Sequence, residues 1–270
     1  MKRAICVALL TFAALQGTAY GEEEWKFSLT PYLWLPNING TLKYSIPPGA
    51  AAGPEVDTGP NNYLENLSFA LMLAGEARKG KWSVFTDLIY LDFDSEKSAV
   101  KAVNFGGDRI STSLNSSTKS SLTGVAWTFG GGYNVVQDPK HSLDLLGGAR
   151  YFGLKASSDW QLGAAVNGPN SQTFAASGSI SQREDIWDAI VGLRGRVKFG
   201  EGGAWFVPYY LDIGAGTSKL TGQSLLGVGY AFKWGELVGT YRYVLYDMKD
   251  DKLLQDIRFA GPAIGATFRF

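Results

Sequence analysis

The feature that most constrains this chain is a two-residue alternation of apolar and polar side chains, repeated over segments of about ten residues. It is clearest over 187–199. Trp187, Ala189, Val191, Leu193, Gly195, Val197 and Phe199 fall on one face, and Asp188, Ile190, Gly192, Arg194, Arg196 and Lys198 on the other. A helix would spread those charges around its circumference; a strand sorts them, because successive side chains point to opposite faces. The same sorting recurs at 127–135, 205–213 and 236–245.

Tight turns divide many of these runs: Lys79-Gly80, Gln137-Asp138-Pro139-Lys140, Gly200-Glu201-Gly202 and Lys233-Trp234-Gly235. Longer polar stretches divide the others, at 94–119, 156–182 and 246–254. Short and long connections alternate, as they do in an outer-membrane barrel with short periplasmic turns and longer outer loops. Trp25, Trp82, Tyr90, Trp187, Trp205, Tyr230, Phe232 and Trp234 gather near strand ends. Rings there suit the lipid–water boundary.

Both ends of the chain agree with export to that membrane. Lys2 and Arg3 precede an apolar run from Ala4 to Leu15, and Ala19-Tyr20-Gly21 has small residues at the positions a signal peptidase reads. Residues 1–21 are therefore expected to be a cleaved signal peptide and 22–270 the barrel domain. At the other end, Ile264, Ala266, Phe268 and Phe270 alternate with Gly265, Thr267 and Arg269. A terminal Phe on such a strand resembles the assembly signal read by the barrel insertion machinery, which makes that machinery an expected partner.

Composition excludes other classes. The 25 basic and 25 acidic residues cancel, which argues against nucleic acid as a partner. The single cysteine, Cys6, lies in the signal, so the exported chain has no disulfide framework and no thiolate metal site. Mean hydropathy near zero fits strands that average a lipid-facing apolar row with a polar inner row. A soluble secreted β-protein is the alternative at the level of fold.

The expected fold is all-β: a transmembrane antiparallel up-and-down β-barrel. Eleven strands can be placed, at 25–35, 40–46, 67–78, 82–93, 120–136, 142–155, 186–199, 204–213, 219–232, 236–246 and 256–270. An even number is required, with both ends on the periplasmic side. A weak strand near 52–58 would complete twelve, which is the expectation. Reading 25–46 as one bent strand gives ten, the alternative. Pro47, Pro48, Pro54 and Pro60 count against the extra strand. A short helical turn is expected over 62–66.

Several stretches carry a resemblance: Pro31-Tyr32-Leu33-Trp34, Glu76-Ala77-Arg78-Lys79-Gly80-Lys81-Trp82, Thr86-Asp87-Leu88-Ile89-Tyr90-Leu91-Asp92, Trp187-Asp188, Val191-Gly192-Leu193-Arg194-Gly195-Arg196, Tyr241-Arg242-Tyr243 and Gly261-Pro262-Ala263-Ile264-Gly265. Together they resemble a poorly characterised family of porin-like Gram-negative outer-membrane β-barrel proteins. The resemblance implies fold and location, and it brings no substrate, cofactor or catalytic residue with it.

The inner row carries the polar chemistry. Glu76, Asp87, Asp144, Asp188, Asp212 and Glu236 are its acids; Arg78, Arg150, Arg194, Arg196, Lys198 and Arg242 its bases. Lipid disfavours such charges, so they are expected to face the lumen. There they either line a narrow porin-like passage or solute-binding cavity, with a small polar solute as partner, or pair across the lumen and close it. The closed form would leave a structural or adhesive barrel whose outer loops contact lipopolysaccharide or an external partner. An outer-membrane hydrolase is a third reading. Its only histidine after the signal, His141, falls in an expected periplasmic turn, away from the outer face, and no enzyme activity is expected. Metal-ligand spacing is absent. The acidic cluster Asp247, Asp250 and Asp251 has the chemistry to hold a divalent cation bridging lipopolysaccharide phosphates, but a solvated loop is the favoured reading. Gly130-Gly131-Gly132 and Gly227-Val228-Gly229 lie within strands, not before helices, so no dinucleotide cofactor is expected.

Overall fold

The alternating segments become strands that pair in sequence order. A computed structural model describes residues 24–42, 55–105, 110–167, 172–249 and 254–270; the signal at 1–21 lies outside them. The strands are β1 (Trp25–Trp34), β2 (Asn37–Leu42), β3 (Glu55–Thr58), β4 (Leu67–Lys79), β5 (Trp82–Phe105), β6 (Ile110–Gln137), β7 (His141–Asn167), β8 (Gln172–Phe199), β9 (Trp205–Gly216), β10 (Leu220–Ala231), β11 (Glu236–Asp247) and β12 (Leu254–Arg269). A helical turn, α1 (Pro60–Tyr63), runs into a 3-10 turn at Leu64–Asn66, where the sequence suggested one.

From β4 to β12 each strand pairs antiparallel with the next, and β1 pairs with both β4 and β12 to close the ring. The chain's last residue takes part. The Phe27 and Phe270 amides each donate to the other's carbonyl, at 3.1 and 2.9 Å.

The ring therefore has ten strands, the alternative expectation, and the expected twelve is corrected. β1 and β2 occupy one place in the wall: β1 lies along residues 263–269 of β12, and β2 along 254–260. The Leu35-Pro36 joint between them is a bend, since proline gives the ladder no N–H. β3 does fall within the proposed weak strand at 52–58, but it pairs only with β2 and stands outside the ring. The expected strand at 40–46 is described only to Leu42.

A second correction concerns the stretches 94–119 and 156–182, read above as long loops. Strands β5 to β8 continue through them and stay paired to one another, with lengths of 24, 28, 27 and 28 residues. A tilted crossing of a bilayer needs only about 9–11 residues. The four strands thus project beyond the ring by on the order of 40 Å at the usual rise per residue. Their Ser- and Thr-rich sequence hid them, because it has no sustained apolar row to alternate with the polar one. The outer connections also vary more than expected: β9 and β10 are joined by a tight turn at 217–219.

Outward-facing positions are apolar, with Val84, Val191, Ile213, Leu226 and Ile264 each at least 60% exposed. Ile264, Phe268 and Phe270 of the expected assembly signal are exposed there too, and Ala266 lies in the same row. Aromatic rings form two bands. At the short-turn end Trp82 meets Tyr133, Trp205 meets Tyr230, and Trp234 meets Phe232 and Phe268. About ten residues up the strands, Phe69 meets Tyr90, Trp127 meets Phe129, and Tyr151 meets Trp187. Such a skin is stable against hydrocarbon and not against water. The chain is an outer-membrane β-barrel.

Candidate functional site

The inner row of the barrel changes character along its height. Next to the periplasmic turns it is ionic, at mid-height it is a belt of polar and charged groups, and above that it is apolar.

The lowest layer joins β4, β7 and β8. Arg78 pairs with Glu76 at 2.9 Å and with Asp144. Arg194 reaches Glu76 at 2.8 Å and Asp144 at 3.4 Å, while the Asn134 amide donates to Asp144 at 2.8 Å. β8 and β4 stand four places apart in the ten-strand ring, so the Arg194–Glu76 contact crosses the lumen. Beside it Arg196 pairs with Glu236 at 2.7 Å, and Arg269 of the last strand meets the same carboxylate. Phe85 and Phe206 fill the space under the guanidinium groups of Arg194 and Arg196, with ring centres 4.7 and 4.6 Å away. Lys198 shares the inner parity but lies exposed at the turn end, beside Gly203.

The belt above it is continuous. Arg150 pairs with Asp212 and donates to Thr221 at 3.1 Å and to Gln223 and Thr128 at 3.3 Å. Gln223 also accepts from Arg242 at 2.9 Å. Arg242 pairs with Asp87 at 2.9 Å and donates to the Tyr32 hydroxyl at 3.1 Å; that hydroxyl in turn donates to Asp87 at 2.5 Å. The connection runs from β9 through β7, β10 and β11 to β5 and β1, from one side of the lumen to the other. Arg150, Asp212 and Arg242 are each at most 5% exposed. Removing such charges from water is costly, and close pairing with further hydrogen bonds is what makes it tolerable. Asp188 sits higher, accepting from the Ser218 hydroxyl at 2.6 Å and its amide at 2.9 Å, so it fixes the β9–β10 turn.

Above the belt Trp34, Met72, Ile89, Phe152, Ile186, Val244, Tyr246, Met248 and Ile257 are buried together. All of these except Ile186 and Met248 bound a cavity of about 300 Å³, whose floor is Thr128, Arg150, Gln223 and Arg242 and whose upper lining includes Tyr63, Leu67, Leu91 and Phe259. This volume is at the lower end of small-molecule sites. The guanidinium groups of the floor are turned into the belt, and Arg242 also lies 4.8 Å from the Trp34 ring centre. The cavity surface is in consequence apolar.

The sequence located the charges and missed the cavity. The signal was present: outward along β5, Asp87 is followed on the same face by Ile89, Leu91 and Phe93, and along β11 Arg242 is followed by Val244, Tyr246 and Met248. Tyr32, Asn134, Gln223 and Arg269 were also missed. None belongs to a residue class that an inner row of charges would single out, apart from Arg269, which lies among the alternating residues of the last strand.

The remaining candidates lie elsewhere. His141 follows a turn at the periplasmic end, where its Nδ1 is 3.0 Å from the Asp138 carboxylate and both side chains are solvent-exposed. The Asp138 carboxylate accepts the amides of His141 and Lys140, at 2.7 and 2.8 Å, and those bonds hold its pKa below the ordinary range. Asp247 lies 3.8 Å from Lys219; Asp250 and Asp251 are outside the described residues. Among the described residues, no group of three or more His, Cys, Asp or Glu side chains is placed to hold a metal ion.

No protein-family model and no curated protein sequence matches the chain. Solved structures similar in architecture include outer-membrane proteins. The outer membrane protease OmpT of Escherichia coli is 8% identical over 94% of this chain and 99% of its own, with a TM-score of 0.47. The translocator domain of the autotransporter NalP from Neisseria meningitidis is 17% identical over 90% and 88%, at 0.37. Ail, the attachment invasion locus protein of Yersinia pestis, in complex with the heparin analogue sucrose octasulfate, is 14% identical over 92% and 99%, at 0.34. Likeness at this level concerns the barrel fold alone.

Proposed function

We propose that this outer-membrane barrel is a binding protein that holds an apolar ligand of acyl-chain type in its outer-half cavity, above a lumen sealed by its own side chains. The observation that carries the reading is the vertical order of the lumen: an apolar cavity of about 300 Å³ set directly on a hydrogen-bonded ionic belt. Of the readings open to the sequence, this supports the solute-binding cavity over the conducting passage. It also shifts the expected solute from polar to apolar: the Arg150 guanidinium, the terminal nitrogens of Arg242 and the Gln223 side-chain oxygen are all engaged within the belt, leaving Arg242 Nε as the one buried floor atom without a partner among the described residues, so a polar guest would lose its water with little replacement. The reading is non-enzymatic.

The test uses a spin-labelled stearic acid in phosphatidylcholine vesicles containing the refolded barrel. A motionally restricted, protein-bound fraction is expected. Ala126, whose side chain enters the cavity between Ile89 and Phe152 of the flanking strands, is then replaced by Phe. A126F should remove that fraction; an unchanged spectrum would refute the reading.

The projecting β5–β8 sheet favours a second activity, contact with lipopolysaccharide or an external partner. Replacing 97–118 and 160–178 with short turns should abolish such binding and leave the acyl-chain site intact.

A further inference from the structure

The wall of the barrel is incomplete at one place, and the cavity lies behind it. The β1–β4 ladder runs from Trp25↔Lys79 to Pro31↔Leu73 and stops there. Outward of that pair, each strand stays attached on its far side only. β1 continues on β12 through Tyr32↔Gly265 and Trp34↔Ala263, and the Leu35 amide donates to the Pro262 carbonyl at 3.0 Å. β4 continues on β5 as far as Leu67↔Phe93. Among the described residues no backbone pairing joins 32–35 to 67–72.

Side chains bridge the seam. The Trp34 amide donates to the Met72 thioether sulfur at 3.1 Å, a weak acceptor standing where a strand carbonyl would. The Tyr63 hydroxyl donates to the Pro36 carbonyl at 2.9 Å, and its ring meets Phe93 edge-on, so α1 roofs the seam from the β1–β2 joint to β5. A spanning barrel normally pairs every strand edge, because an unpaired backbone group facing lipid costs several kcal/mol.

The lining of the cavity includes not only the inward Trp34 and Met72 but also Leu33, which points outward and is 47% exposed, and Leu64, 40% exposed. The apolar wall of the cavity is thus continuous with the lipid-facing wall at this seam. Phe69 and Tyr90 of the outer aromatic band flank it, which places it at the level of the outer leaflet.

We propose that the β1–β4 seam is a lateral portal through which the acyl chain of a membrane amphiphile slides from the outer leaflet into the cavity, its head group staying outside beneath α1. The chain arrives from the bilayer and not from water. This rests on the binding function proposed above, and the experiment separates the two.

In a Cys6→Ala background, Ile89→Cys puts a single thiol at the cavity wall. The barrel is refolded into phosphatidylcholine vesicles, and adduct formation is followed by mass spectrometry with two reagents: membrane-partitioned N-dodecylmaleimide and water-soluble N-methylmaleimide. The dodecyl reagent is expected to label Cys at 89. Obstructing the seam with Ala70→Trp, or independently with Leu33→Trp, should slow that labelling about tenfold while N-methylmaleimide labelling changes less than about twofold. Leu237→Trp, elsewhere on the lipid-facing wall, should change neither rate. Unchanged dodecyl labelling in both seam variants, with folding confirmed by heat-modifiable mobility, would overturn the portal and leave the binding cavity standing. Absence of dodecyl labelling without any seam substitution would instead overturn the binding function, and the portal with it.

Discussion

Arg150 is almost completely enclosed, and its partner Asp212 is equally so. Replacing Arg150 with Met leaves a buried carboxylate without its cation, which typically costs about 3–5 kcal/mol. R150M should unfold at markedly lower urea than the parent in vesicles. Asp212→Asn added to it should recover much of the loss, because the uncompensated charge is gone. Equal stability of R150M and the parent would remove the belt as a structural element. Asp138 gives a smaller effect with a defined sign. Its folded pKa is lowered below the ordinary 3.8 by the His141 and Lys140 amides. The stabilisation it lends the turn is therefore full above 3.8 and disappears as pH falls through the lowered value. Protection of those two amides, taken relative to intrinsic exchange at each pH, should fall over that acidic window, and Asp138→Asn should abolish that fall. At this scale the charges were legible in the sequence, since parity alone decides which face a strand residue takes. Their pairing was not, because Arg242 and Asp87 meet across the lumen from strands far apart in sequence.

At the scale of elements, close approach between strands depends on residues without side chains. Gly130 of β6 and Gly148 of β7 are directly paired, and a Cβ built on Gly130 would lie 2.8 Å from the Gly148 Cα. Gly148→Val should therefore force the β6–β7 ladder apart below the cavity. The expected cost is about 1–3 kcal/mol, as for other overpacked interiors, and it reads out as a lowered heat-modification temperature. The projecting β5–β8 sheet behaves oppositely. Glu96, Lys119, Asp159 and Ser179 are successive partners across the four strands. Cutting both hairpins back to that line removes nothing from the ring and should leave heat-modifiable mobility unchanged. These extensions were illegible because period-two patterning needs an apolar row, and 94–119 and 156–182 are too rich in Ser and Thr to supply one. The proline bend at Leu35-Pro36 misled the strand count for the opposite reason: it interrupts the pattern without ending the strand's place in the wall.

At the scale of the whole molecule, fold and orientation followed from features spread along the chain: sorted faces, two aromatic bands and a last strand ending in Phe270. The cavity did not, because it arises where the inner row turns apolar on several strands at once, at a height set by register and tilt. The central claim is that the protein's own side chains close the lumen, with Arg194–Glu76 and the Asp212–Arg150–Gln223–Arg242–Asp87 belt crossing it at two levels. Single-channel recording of the folded barrel in planar bilayers tests this most directly. The account predicts a silent membrane at all moderate voltages, with no discrete steps. Stable, ohmic conductance steps from protein of verified fold would contradict it.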